Sequence, residues 1–121
     1  MTSGTALIAA ARQVPVEIPN WPLSRVLRKA IQHYNRRNPD KPPATMQSDP
    51  EFLKRIAVNW LRHMGSNYDA HRNSISALAH KEDRKTAGSI VKGRILAQIA
   101  IQYPQLADEA RHQAFREDRK A

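Results

Sequence analysis

Ser48-Asp49-Pro50-Glu51-Phe52-Leu53-Lys54-Arg55-Ile56-Ala57-Val58-Asn59-Trp60-Leu61-Arg62-His63-Met64-Gly65 is the stretch that decides the fold. Wound at roughly 100° per residue, Leu53, Ile56, Ala57, Trp60, Leu61 and Met64 fall in one arc of about 140°. Arg55, Asn59 and Arg62 fall opposite, with His63 at the margin. Ser48 or Asp49 caps such a helix, Pro50 suits its first turn, and Glu51 stands at capping-box spacing from Ser48. Gly65 is placed to end it as a left-handed residue. A helix with so wide an apolar face needs neighbours to cover it, and the flanking sequence offers more helices.

Upstream, Pro22 opens a helix that runs to about Asn35 or Arg37. Leu23, Val26, Leu27, Ala30, Ile31 and Tyr34 share one side of it, and Arg25, Arg28, Lys29, Gln32 and Arg36 the other. No acidic residue interrupts this helix, whereas surface helices ordinarily mix both signs. Trp21 anchors its start to the core. Before it, a short helical turn fits Thr5 to Gln13, and Val14-Pro15-Val16-Glu17-Ile18-Pro19 is extended because its prolines bar both helix and central strand. Residues 1–20 therefore form an N-terminal arm that either packs on, or stays mobile beside, a single helical domain of residues 21–121. Asn38-Pro39-Asp40-Lys41-Pro42-Pro43 is a stiff loop within that domain.

Downstream, a short helix fits about Asp69 or Asn73 to His80. Lys81-Glu82-Asp83-Arg84-Lys85 reads as a solvated loop or a helix extension, and Thr86-Ala87-Gly88-Ser89 as a break or a helix start. Ile90 to Tyr103 is helical, with Val91, Ile95, Leu96, Ile99 and Tyr103 on one side and Ile90, Ala97 and Ile101 nearly opposite. A helix apolar on both sides is expected between neighbours, or with one face in a partner. Pro104 starts a last helix with Leu106, Ala107, Ala110 and Ala114 inward. The expected fold is all-α, a compact bundle of four to six helices. The pair 50–64 and 69–80 is either a helix-turn-helix or a plain helix hairpin.

The 121 residues carry 20 Lys and Arg against 11 Asp and Glu, a formal charge of +9. Residues 22–47 hold Arg25, Arg28, Lys29, Arg36, Arg37 and Lys41 against Asp40 alone, so the excess is concentrated early in the chain. A balance this basic points to a polyanionic partner. The absence of cysteine excludes disulfides and thiolate metal sites. Ala6 to Ala11 is too short to span a bilayer and lacks a cationic leader, so a cytoplasmic protein without a membrane role is expected.

Catalytic constellations are not apparent. His63, Asp69, His71 and His80 lack the spacing of a helical zinc motif, so no metal is expected. His71-Arg72-Asn73 with His80 lacks the hairpin that a His-Asn-His nuclease requires. Glu82-Asp83, Asp108-Glu109 and Glu117-Asp118 lie among cations as solvated faces, and no glycine-rich phosphate loop occurs. A non-enzyme without cofactors is expected.

Asn59-Trp60-Leu61-Arg62-His63, Tyr68-Asp69 and Tyr103-Pro104-Gln105-Leu106-Ala107-Asp108-Glu109 resemble segments of small uncharacterised bacterial proteins, some linked to mobile elements. The resemblance spans about the C-terminal half and brings no established activity. It implies a role tied to foreign DNA, and that Asn59, Arg62, His63, Tyr68 and Asp69 act as one group, either as a clamp on the hairpin or as a site.

The expected function is nucleic-acid binding without catalysis, DNA and RNA being equally compatible. Its contacts would be Arg25, Arg28, Lys29, Arg36, Arg37, Arg55, Asn59, Arg62 and Arg72, forming one surface. In the helix-turn-helix reading Asn67, Tyr68, His71, Arg72 and Asn73 would lead the second helix into the major groove. The alternative is a protein-interaction module, an accessory subunit or inhibitor that docks on a nucleoprotein complex.

Overall fold

The structure is a computed structural model that describes residues 16–67 and 81–120, with the backbone alone at 82, 83 and 115–120. The described residues form four α-helices and no strand: α1 (Leu23–Arg37), α2 (Pro50–His63), α3 (Lys81–Gln102) and α4 (Ala107–Lys120), the last preceded by a 3-10 turn at Pro104–Leu106. The all-α bundle expected from the apolar periodicities is what forms. The expected turn at Thr5–Gln13 and the expected helix at 69–80 lie outside the described residues, and with them the second half of the hairpin.

Helix α2 sits at the centre. It packs on α1 by one side and on α3, the 3-10 turn and α4 by the other, while α1 packs on α2 alone among these elements. That placement follows from composition. Leu53, Ile56, Ala57, Val58 and Leu61 of α2 are all buried, whereas in α1 only Val26 and Ala30 are. Core residues from α3 and the turn after it (Ala87, Val91, Ile95, Leu96, Ile99, Tyr103, Leu106) complete one contiguous apolar cluster. Tyr34 meets Phe52 edge-on at 5.0 Å between ring centres, locking α1 to α2.

The ends of α2 differ from the sequence expectation. Asp49 alone is the cap: its Oδ2 accepts from the Phe52 N–H at 3.1 Å. Ser48 Oγ instead accepts from the Thr45 N–H at 2.9 Å, and Glu51 pairs with Lys54 at 3.3 Å, so the capping box does not form. Gly65 is not left-handed either. Its N–H and that of Met64 both donate to the Trp60 carbonyl, at 2.9 and 2.7 Å, and close the helix in its ordinary hand. Gly65 is needed for space: a Cβ there would lie 2.8 Å from Cζ3 of Trp60 and 3.2 Å from Cα of Leu61. Trp60 is only part-buried; its ring stacks on Trp21 at 5.8 Å, which fixes the start of α1 as expected.

The extended residues ahead of α1 are strapped to the bundle. Glu17 and Asn67 exchange bonds, the Glu17 N–H donating to Asn67 Oδ1 at 3.0 Å and the Asn67 N–H to the Glu17 carbonyl at 3.2 Å. The Tyr103 hydroxyl shares its proton between the carbonyls of Trp21 (2.7 Å) and Pro19 (3.2 Å). Val16 and Ile18 pack against the core. For residues 16–21, packing on the domain is therefore the arrangement found. The loop after α1 is held by Asn35, whose side-chain amide exchanges two bonds with the Ala44 backbone, at 2.7 and 3.1 Å.

Helix α3 begins well before Ile90: Lys81 to Ser89 are helical through Gly88, which resolves both alternatives in favour of helix. Of its two apolar sides, the one with Val91, Ile95, Leu96 and Ile99 is buried. On the other, Ile90 is part-buried, while Ala97 and Ile101 are exposed, Ile101 at 72%. No helix of the described residues is long and apolar enough to cross a membrane.

Candidate functional site

The peripheral position of α1 turns one of its sides outward. Arg25, Arg28, Lys29 and Arg36 span about 100° of the helix circumference, and all four are exposed. Arg25 is held with its guanidinium 4.0 Å from the centre of the Trp21 ring, a cation–π contact that orders it. Among the described residues, none of Arg25, Arg28, Lys29, Arg36, Arg37 and Arg55 is in an ion pair. This is an uncommon arrangement for a helix surface, where i,i+4 carboxylates ordinarily balance cations.

Arg37 is placed differently. It lies about 20° from Ala30 around α1, so it leans over the α1–α2 seam rather than outward. There, along the α1–α2 seam, lies a cleft of about 610 Å³. Helix α1 lines it with His33, Tyr34 and Arg37, and Asn38 follows; α2 contributes Ile56, Asn59, Trp60, Arg62 and His63. The surface expected to be single is thus two: an outer face carrying Arg25, Arg28, Lys29 and Arg36, and a cleft gathering Arg37, Asn59 and Arg62. Arg55 is exposed on α2 and does not line the cleft, and Arg72 lies outside the described residues.

The cleft is internally braced. Arg62 donates from Nη2 and Nε to Nε2 of His63, at 2.9 and 3.2 Å, so the His63 proton belongs on Nδ1. Arg62 Nη1 reaches Oε1 of Gln113 at 3.5 Å, and Gln113 Nε2 donates to Glu109 at 3.0 Å. Gln113 is almost fully buried, so this bridge from α2 to α4 fixes the guanidinium. Asn38 closes α1, its backbone N–H and its side-chain Nδ2 both donating to the Tyr34 carbonyl at 2.9 Å. By contrast, the side chains of His33, Arg37 and Asn59 make no hydrogen bond among the described residues.

The cleft runs from the C-terminus of α1 at one end to that of α2 at the other, each worth roughly half a negative charge. Arg36 and Arg37 in the last turn of α1, and Arg62 in that of α2, outweigh them. Burial holds His33 below its ordinary value of 6.5, and the charges of Arg37 and Arg36 press it lower still. The field at His33 is therefore cationic. No carboxylate is among the described residues that line the cleft, and no three His, Asp or Glu side chains among the described residues converge as metal ligands.

The sequence reading missed His33 and Asn38 as members of a site. His33 did carry a signal: it lies about 40° from both Lys29 and Arg37 around α1, on the border between the basic and apolar sides. Asn59, Arg62 and His63, grouped by the resemblance, do share one cleft, while Tyr68 and Asp69 lie outside the described residues. No known protein family, no curated protein and no solved structure matches this chain.

Proposed function

We propose that this protein binds nucleic acid through its phosphates, without catalysis, and that the outer face of α1 makes the main contact. The observation that carries the reading is an acid-free peripheral helix with four exposed cations and no ion pair among the described residues. From Arg25 to Arg36 the helix rises about 16 Å, which matches roughly five phosphate steps along one strand. Guanidinium groups engage phosphate oxygens in pairs, and counterions released from the strand supply the driving force. Contacts of this kind fix position along a strand and carry no base sequence.

The test is fluorescence anisotropy with duplex DNA, single-stranded DNA and RNA across a salt series. Four phosphate contacts give a log–log salt slope of about −3.6 on duplex DNA. Replacing Arg28, Lys29 and Arg36 by Gln lowers affinity and flattens that slope by about 2.7, with unchanged circular dichroism. Arg25 is left in place because it packs on Trp21. Equal affinity of the triple variant and the natural protein for all three nucleic acids refutes the reading.

A further inference from the structure

The cation that opens the outer face of α1 is held unlike the three that follow it. We propose that Arg25 is a stacking plate for an unpaired base, and that the polyanion this face takes is a single-stranded nucleic acid. The inference rests on the phosphate reading of α1 and names the ligand of that same surface.

Three observations carry it. First, the Arg25 guanidinium lies 4.0 Å from the centre of the Trp21 ring, whereas Arg28, Lys29 and Arg36 make no ring contact among the described residues. A guanidinium is flat and delocalised. With Trp21 against one side of it, the exposed Arg25 side chain offers its other side to solvent.

Second, the support beneath the plate is fixed from within the bundle. The Trp21 carbonyl accepts from the hydroxyl of buried Tyr103 at 2.7 Å, which holds its backbone. Its ring stacks on Trp60 at 5.8 Å between ring centres. Trp60 in turn fills the space beside Gly65, where even a Cβ would come within 2.8 Å of Cζ3. Arg25 thus rests on Trp21 and Trp21 on Trp60, so the guanidinium has little freedom left to lose when a base arrives.

Third, Arg25 is in no ion pair among the described residues, and Arg28 and Lys29 stand one turn further along the same face. The rise between them and Arg25 is about 4.5–6 Å, so a nucleotide with its base on Arg25 brings its flanking phosphates to two cations. In a duplex each base face is covered by its neighbours in the stack. An unpaired strand can lay a base on a guanidinium, and every base has such a face, so the contact selects strandedness rather than sequence. Lysine at the same place would supply the charge without the plane, which makes the two roles of Arg25 separable.

The experiment is fluorescence anisotropy of the full chain with three probes of one length: oligothymidylate, a strand of abasic sites with the same number of phosphates, and a duplex. Oligothymidylate is expected to bind about tenfold more tightly than the abasic strand, at the same salt slope. Arg25→Lys, with unchanged circular dichroism, removes that preference and leaves the salt slope and the duplex affinity as they were. Equal affinity of the natural protein for oligothymidylate and the abasic strand overturns the proposal with no variant involved. The phosphate reading then still stands if the Arg28, Lys29 and Arg36→Gln triple weakens binding of both. A preference that survives intact in Arg25→Lys also overturns the proposal. Unchanged affinity of the triple for all three probes takes the phosphate surface away from α1, and this inference with it.

Discussion

Substitution of Gly65 by Ala is expected to destabilise the fold although the backbone there is not left-handed. Two effects compete. Gly→Ala at a backbone angle that any residue adopts gains about 0.4–1 kcal/mol, because the unfolded chain loses freedom. Against that, the new methyl would lie 2.8 Å from Cζ3 and 3.2 Å from Cε3 of Trp60, and 3.2 Å from Cα of Leu61. None of these can yield cheaply. The Trp60 ring is stacked on Trp21, and Leu61 is buried backbone in the central helix. Overpacking costs about 1–3 kcal/mol, and a contact under 3 Å belongs to the upper part of that range, about 2–3 kcal/mol, so the net loss is about 1–2.5 kcal/mol. For a chain of this length that is a fall in Tm of roughly 4–10 °C. Gly93→Ala is the internal control: a Cβ there meets nothing within 4 Å, and Gly93 lies inside α3. It should gain about 0.5–1 kcal/mol from helix propensity. Urea unfolding of both variants reads the difference. A Gly65→Ala protein as stable as the natural one would refute the argument that Trp60 requires this glycine.

Three further outcomes are expected. Asp49→Ala should cost about 1 kcal/mol in urea unfolding, because the Phe52 N–H loses its acceptor, while Ser48→Ala costs clearly less since Ser48 does not cap α2. Tyr103→Phe should cost about 1–2 kcal/mol by the same measurement, since the carbonyls of Trp21 and Pro19 lose their shared donor; burial raises the phenol above its ordinary value of 10.0, so the contribution persists through neutral pH and fades only as pH rises past that value. His33 has a lowered value in the folded protein, so the unfolded chain binds its proton first, and stability is greatest above pH 6.5 and declines as pH falls below it. Thermal melts at pH 7.5 and 5.0 should show this decline reduced in His33→Gln; an identical decline in both proteins would show that His33 does not contribute.

Local chemistry determined a large share of what was legible beforehand. The 3.6-residue periodicity of Leu53 to Leu61 and of Leu23 to Tyr34 sufficed for two helices and their inward faces, because burial of an apolar stripe is read directly from spacing. The acid-free α1, and the cations that make it a candidate interface, were legible for the same reason: charge and helical phase are sequence properties. Only the tertiary structure decided which cations share a surface. The packing of α1 on α2 alone sets Arg37 over the seam that Asn59 and Arg62 also line, while Arg25, Arg28, Lys29 and Arg36 stay outside. It also decided that Gly65 serves Trp60 rather than a left-handed turn, that Ser48 leaves the cap to Asp49, and that Gln113 braces Arg62 from another helix. Each of these depends on which surfaces meet and at what distance, and residues far apart in the chain specify that jointly, so no local pattern contains it.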